Sequence, residues 1–151
     1  MDPEFFDRMM LKAIGEEIAA RDFYQQAARQ MKDPGVAEIF EQLSREENEH
    51  RHLLETFRFN PLARVEFERF QDYGVAEQED EPAFSFSMSP REALQIAMKK
   101  EQRAAETYRR FADACQDSEM RRIYSELAEM ERGHKVRLEA LFVNTAYPER
   151  W

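Results

Sequence analysis

A chain of 151 residues, 35% of them charged and only 4 of them glycine, is the size of one domain, can bury a core without staples, and suits long helices with solvated outer faces. Its formal net charge of −9 excludes nucleic acid and an anionic membrane surface as main partners, since both need a basic patch, and no stretch approaches 18 uninterrupted apolar residues. Met1 to Phe6 show no basic region followed by an apolar run, and the lone Cys115 leaves no disulfide, CxxC pair or zinc knuckle, so a cytoplasmic protein is expected whose metal chemistry would use carboxylate and imidazole.

Four segments carry apolar residues at alternating steps of three and four, the spacing of a helical seam. The first has Phe6, Met10, Ala13, Ala20, Tyr24, Ala27 and Met31, and Asp2-Pro3 before it places a capping side chain ahead of a first-turn proline. The second, behind the same signal at Asp33-Pro34, has Val36, Phe40, Leu43, Leu54 and Phe57. Residues about 59–88 are too long for a tight turn and read as a crossover. Within it Leu62 to Tyr73 could form a short helix with Phe67 and Phe70 seeking cover, and Glu77 to Pro82 a solvated loop; its aromatics, Phe59, Tyr73, Phe84 and Phe86 included, are expected in packing or a dimer contact. Ser89-Pro90-Arg91-Glu92 then combines an N-cap, a first-turn proline and the glutamate of a capping box. The third segment follows with Leu94, Ala97, Ala104, Tyr108, Phe111 and Cys115, and the fourth, opened by Asp117-Ser118, has Met120, Tyr124, Leu127, Leu138 and Leu141. Short turns join the first pair (about 3–58) and the second pair (about 90–143). The expected fold is therefore all-α, a four-helix bundle of two antiparallel hairpins within one domain, 1–151.

Sliding the sequence by 84 residues exposes a duplication: between Ala13–Phe57 and Ala97–Leu141, without a gap, 12 of 45 positions are identical, where typical residue frequencies would give about three. The two halves are one hairpin used twice.

The repeated identities include Glu17 with Glu101, Tyr24 with Tyr108, Glu47 with Glu131 and His50 with His134. Each half thus has a lone glutamate on its first helix and a Glu-x-x-His on its second. All lie between seam residues and point inward: Glu17 between Ala13 and Ala20, Glu47 and His50 between Leu43 and Leu54, and their repeat mates likewise. Glu17 and Glu47 have their midpoint at Lys32, and Glu101 and Glu131 theirs at Gln116, so each pair meets at one level, roughly 22 Å from its turn at 1.5 Å per residue. Four carboxylates buried without partners would cost several kilocalories per mole each. Two divalent ions match them in charge, and a neutral imidazole at each end completes a site of the kind that di-iron and di-manganese bundles use. Tyr24 and Tyr108, two turns beyond Glu17 and Glu101, could hydrogen-bond a ligand carboxylate. His52 lies off the seam and is expected in solvent.

On these residues the chain, from about Ala13 to Leu141, resembles the rubrerythrin-like branch of the ferritin-like superfamily. The resemblance rests on Glu17, Glu47-Asn48-Glu49-His50, Glu101 and Glu131-Arg132-Gly133-His134, with the tyrosines as support. It implies a ferritin-like bundle holding two iron ions, in whose place manganese or zinc can bind, with Glu17 and Glu101 as mostly terminal ligands, Glu47 and Glu131 bridging, and His50 and His134 capping one iron each. It also implies oxidation of ferrous iron and reduction of hydrogen peroxide or dioxygen. Two features depart from rubrerythrins proper. Ala104 stands where they carry a further carboxylate, which weakens the peroxidase reading; and one cysteine cannot form their rubredoxin domain, so electrons would come from a separate donor protein. A non-enzymatic iron storage or delivery role is the alternative. An oxygenase is a third, and it would need an apolar pocket opening at the metals, which the four helices do not declare. A homodimer, formed by exchange of hairpins across the crossover, is expected.

Overall fold

The computed structural model describes residues 2–61, 67 and 71–146, without the side chains of residues 145 and 146. Four helices, α1 (Pro3–Gln30), α2 (Pro34–Phe59), α3 (Pro90–Ala114) and α4 (Ser118–Ala146), account for most of it, with one 3-10 turn at Ala76–Gln78 and no strand among the described residues. Each helix starts where its capping chemistry places it. Asp2, Asp33 and Asp117 accept hydrogen bonds from the otherwise unpaired first-turn N–H groups of α1, α2 and α4. Ser89 and Glu92 close the full capping box on α3.

α1 packs on α2 and α3 on α4, forming the two hairpins. Two long-range hydrogen bonds fix how the hairpins face each other. Lys32 N–H, in the first turn region, donates to the carbonyl of Phe86 just before α3 (3.1 Å), and Arg122, at the start of α4, donates to the carbonyl of Pro61 just after α2 (2.8 Å). The hairpins are therefore inverted relative to one another, and the crossover travels the length of the bundle. The pairs of glutamates lie about 22 Å from their turns, close to half the roughly 42 Å length of a 28-residue helix. An inverted hairpin consequently brings its acidic pair to the same level as its mate.

That level splits the core in two. One apolar cluster, around Tyr24, Phe40, Leu43, Leu94, Met98 and Phe142, fills the end near the α1–α2 turn. The other, around Phe6, Met10, Leu54, Phe57, Ile123 and Leu127, fills the end near the α3–α4 turn. Leu141, placed on the fourth seam by heptad spacing, is 47% exposed while Phe142 is buried. A straight helix drifts about 20° per heptad, and over the three heptads from Met120 that drift hands the inward position to Phe142.

The acidic stretch Glu77 to Pro82 is a largely exposed loop, as expected, and together with Asp72 it also clasps the bundle. Lys135 Nζ on α4 is held by Asp72 (2.6 Å), Glu77 (2.9 Å) and Glu139 (3.2 Å), Glu139 also accepts from Ala76 N–H (2.8 Å), and Glu79 and Glu81 reach Gln95 and Arg103 on α3. Gly74 takes φ +65°, a left-handed conformation open to glycine, as the chain turns so that Asp72 can serve both Gly74 N–H and Lys135. Phe84 packs on Phe23 and Phe86, Phe67 packs against the second cluster, and Phe59 and Tyr73 are exposed. The short helix expected over Leu62–Tyr73 falls largely outside the described residues. No helix among the described residues is long and apolar enough to cross a membrane.

Candidate metal centre

Glu17, Glu47, His50, Glu101 and Glu131 are all at most 6% exposed, and His134 sits beside them with 13% of its side chain accessible. All six sequence-derived groups come together. His50 Nδ1 faces Glu17 Oε2 (3.4 Å), Glu47 Oε2 (3.5 Å) and Glu131 Oε1 (3.5 Å), drawing on both hairpins. His134 Nδ1 faces Glu101 Oε1 (4.0 Å). The two imidazoles, repeat mates, meet Nε2 to Nε2 at 3.1 Å, where a pseudo-twofold axis between the hairpins requires equivalent groups to meet. His52 is exposed on the outer face.

Whether cations suit these residues can be judged from their unmet valences. Glu17 Oε2, His50 Nδ1, Glu101 Oε1, Glu131 Oε1 and His134 Nδ1 are buried with no hydrogen-bond partner, and they are the same atoms that face one another. Two ligands sharing an ion at bonds of ~2.1 Å lie about 3.0–3.5 Å apart, the spacing around His50. The donor set, oxygen and imidazole without sulfur, suits iron, manganese or zinc. The residues present fit a divalent pair, and Glu17, His50 and Glu131 already place one atom each within 4.8 Å of the others.

Without cations the layer retains protons. Burial pushes the Glu101 carboxyl up to about 8, with Glu47 adding to it, Glu17 up to about 7, and Glu131 well above the carboxylate range. Burial disfavours a charged His50, but Glu17 and Glu47 outweigh it and raise the imidazole to about 10. Burial also opposes ionised Glu47, yet the adjacent His50 and Glu17 hold it near 2. His134, buried and next to cationic His50, falls to about 3. The two rings share one hydrogen bond through their Nε2 atoms, with donor and acceptor set by the tautomer of each ring.

Tyr24 and Tyr108 are buried, and their phenols are pushed well above the usual value by burial first and then by Glu101 and Glu131 respectively. They stand close to the ligand layer without a hydrogen bond to it among the described residues. The sequence reading did not single out Glu46, whose Oε2 lies 3.3 Å from His134 Nδ1. The duplication held the signal, since the repeat mate of Glu46 is the apolar Met130. It also missed a cavity of about 230 Å³ over the carboxylates, lined mainly by α1 and α3. Small side chains open it: Ala13, Ala20 and Ala104 all line it, so an apolar-walled hollow at the metal layer exists after all.

An inverted pair of helical hairpins enclosing four glutamates and two histidines defines a ferritin-like, metal-binding four-helix bundle. Within that class the chain belongs to the Rubrerythrin family, whose model matches residues 9–142. A solved structure of a hypothetical protein from Pyrococcus furiosus is similar to it, with 25% identity, a TM-score of 0.57, and coverage of 97% of this chain and 93% of that one. No curated protein matches.

Proposed function

We propose that the chain is a di-iron redox protein that oxidises ferrous iron and reduces hydrogen peroxide or dioxygen. The observation that carries this reading is the coincidence of unpartnered, buried ligand atoms from both hairpins in one layer. Glu17, Glu47 and His50 would hold one iron, and Glu101, Glu131 and His134 the other, with Glu47 and Glu131 shared between them. The pair, when bound, supplies two electrons at adjacent one-electron centres.

The chain's own residues bind, neutralise and shield. Four carboxylates offset the charge of two divalent ions, so loading requires the layer to release the protons it retains. The carboxylates Glu17, Glu47, Glu101 and Glu131 line the cavity between α1 and α3, whereas the imidazoles line hollows on the α2–α4 side. A small oxidant would therefore approach from the carboxylate face. Tyr24 and Tyr108, kept neutral by burial, can donate a hydrogen bond toward that layer. Electrons for repeated turnover would come from a separate donor protein.

Anaerobic loading with ferrous iron, metal counting, and rapid mixing with peroxide or oxygen form the test. Two irons per chain and oxidation of both by one peroxide support the reading. Tight binding of two irons with no oxidation by either oxidant would point instead to storage or delivery.

A further inference from the structure

The cavity over the carboxylate layer is larger than dioxygen or hydrogen peroxide requires. A cavity of about 150 Å³ accepts benzene, so the 230 Å³ here has room for about six to ten non-hydrogen atoms, against two for either small oxidant. Its floor is made of the four glutamates, and Met9, Ala13, Ala104 and Phe111 give it apolar walls. It reaches the surface beside exposed Lys12 and Glu16.

Tyr124 makes a second, independent observation. It lines both this cavity and a neighbouring hollow beside Cys115, is 2% exposed, and its hydroxyl has no hydrogen-bond partner. Its repeat mate is Phe40, which packs fully buried in the other half without a hydroxyl. Packing alone is met by phenylalanine, and a buried hydroxyl left unpaired is a standing cost. The extra oxygen is accounted for if a ligand in the cavity satisfies it. Tyr124 lies two turns before Glu131, about 10 Å along α4, so such a ligand would extend away from the metal layer.

The geometry points to a small organic hydroperoxide, alkyl or aryl, as a substrate of the carboxylate layer, its organic group seated among Met9, Ala13, Ala104 and Phe111 and a polar end within reach of Tyr124. This deepens, and rests on, the di-iron redox reading. The O–O bond of ROOH breaks; one electron from each of the two ferrous ions, which become ferric, and two solvent protons (H⁺) convert its two oxygens to ROH and H₂O. Ala104 is the determinant of size, because a side chain as large as leucine there would fill the space beside the carboxylates.

The test has a binding arm and a kinetic arm. In zinc-loaded protein, where no redox step can occur, benzyl alcohol and 4-hydroxybenzyl alcohol, as mimics of the product, are titrated while the methyl signals of Ala13 and Ala104 are followed by NMR. Saturable shifts are expected, with the 4-hydroxy compound binding several-fold more tightly and that advantage lost in Tyr124→Phe. With ferrous protein, tert-butyl hydroperoxide should oxidise the centre, and Ala104→Leu should lower the ratio of its rate to that of hydrogen peroxide at least tenfold. Absence of saturable shifts in the wild-type protein, or an unchanged ratio in Ala104→Leu, would overturn the proposal while oxidation by hydrogen peroxide leaves the redox reading standing. Inertness to both peroxides would remove the redox reading and the hydroperoxide step together.

Discussion

Removing metal should make the stability of this protein fall as pH rises through neutrality. Glu101 and Glu17 titrate near 8 and 7 in the folded chain and near 4.5 when unfolded. A carboxyl raised in this way favours the fold most below its unfolded pKa, and that contribution is lost as pH rises through the folded value. Between pH 7 and 9 these two groups together take away about 2 kcal/mol, at 1.36 kcal/mol per unit. His50, raised to about 10 against 6.5, acts in the same direction over this window, and Glu131 also does. His134 and Glu47, titrating near 3 and 2, change little there. The two carboxyls alone lower the midpoint by about 5 °C in a chain of this size, and His50 and Glu131 add to that fall. The assay is thermal unfolding by circular dichroism of chelator-treated protein at pH 7, 8 and 9, beside protein loaded anaerobically with two equivalents of Mn(II). Cations replace the retained protons, so the loaded protein should show no such fall. A metal-free midpoint that stays level or climbs between pH 7 and 9 would refute the buried, proton-retaining layer.

Replacing both Glu47 and Glu131 with alanine should reduce bound metal from two per chain to none, because in the proposed site each would be shared between the two ions; full stoichiometry by elemental analysis would count against the ligand assignment. Lys135→Met should cost about 3 kcal/mol in urea unfolding, since it leaves fully buried Glu139 without its ammonium partner; an unchanged midpoint would show that the clasp between crossover and α4 carries no stability. Tyr124→Phe should stabilise the metal-free protein by about 1 kcal/mol by deleting an unpaired buried hydroxyl, and a loss of stability in the same unfolding assay would reveal a partner for it. Ser89→Ala should cost about 1 kcal/mol through the α3 capping box, read as a lower urea midpoint at unchanged slope.

Most of the candidate site was legible because it is written twice. Glu17, Glu47 and His50 recur 84 residues on, and helical spacing turns each recurrence into a direction, inward, and a height, mid-helix. Capping residues marked the helix starts for the same reason: an aspartate or serine ahead of a first-turn proline acts on N–H groups two or three residues away, within the reach of local sequence. What the repeat did not duplicate was not marked as part of the site: Glu46, opposite Met130, was passed over, and Tyr124, opposite Phe40, was read as a seam residue alone.

By itself the sequence determined the helices, their pairing into hairpins and the six groups that share one level, since each follows from interactions between residues a few positions apart or from the symmetry of a duplication. Only the tertiary structure decided that the hairpins lie inverted, that acidic residues of the crossover grip buried Lys135, and that alanines on α1 and α3 leave a hollow above the carboxylates. Those depend on contacts between residues up to 63 positions apart and on the space left between helices, quantities that no local pattern encodes.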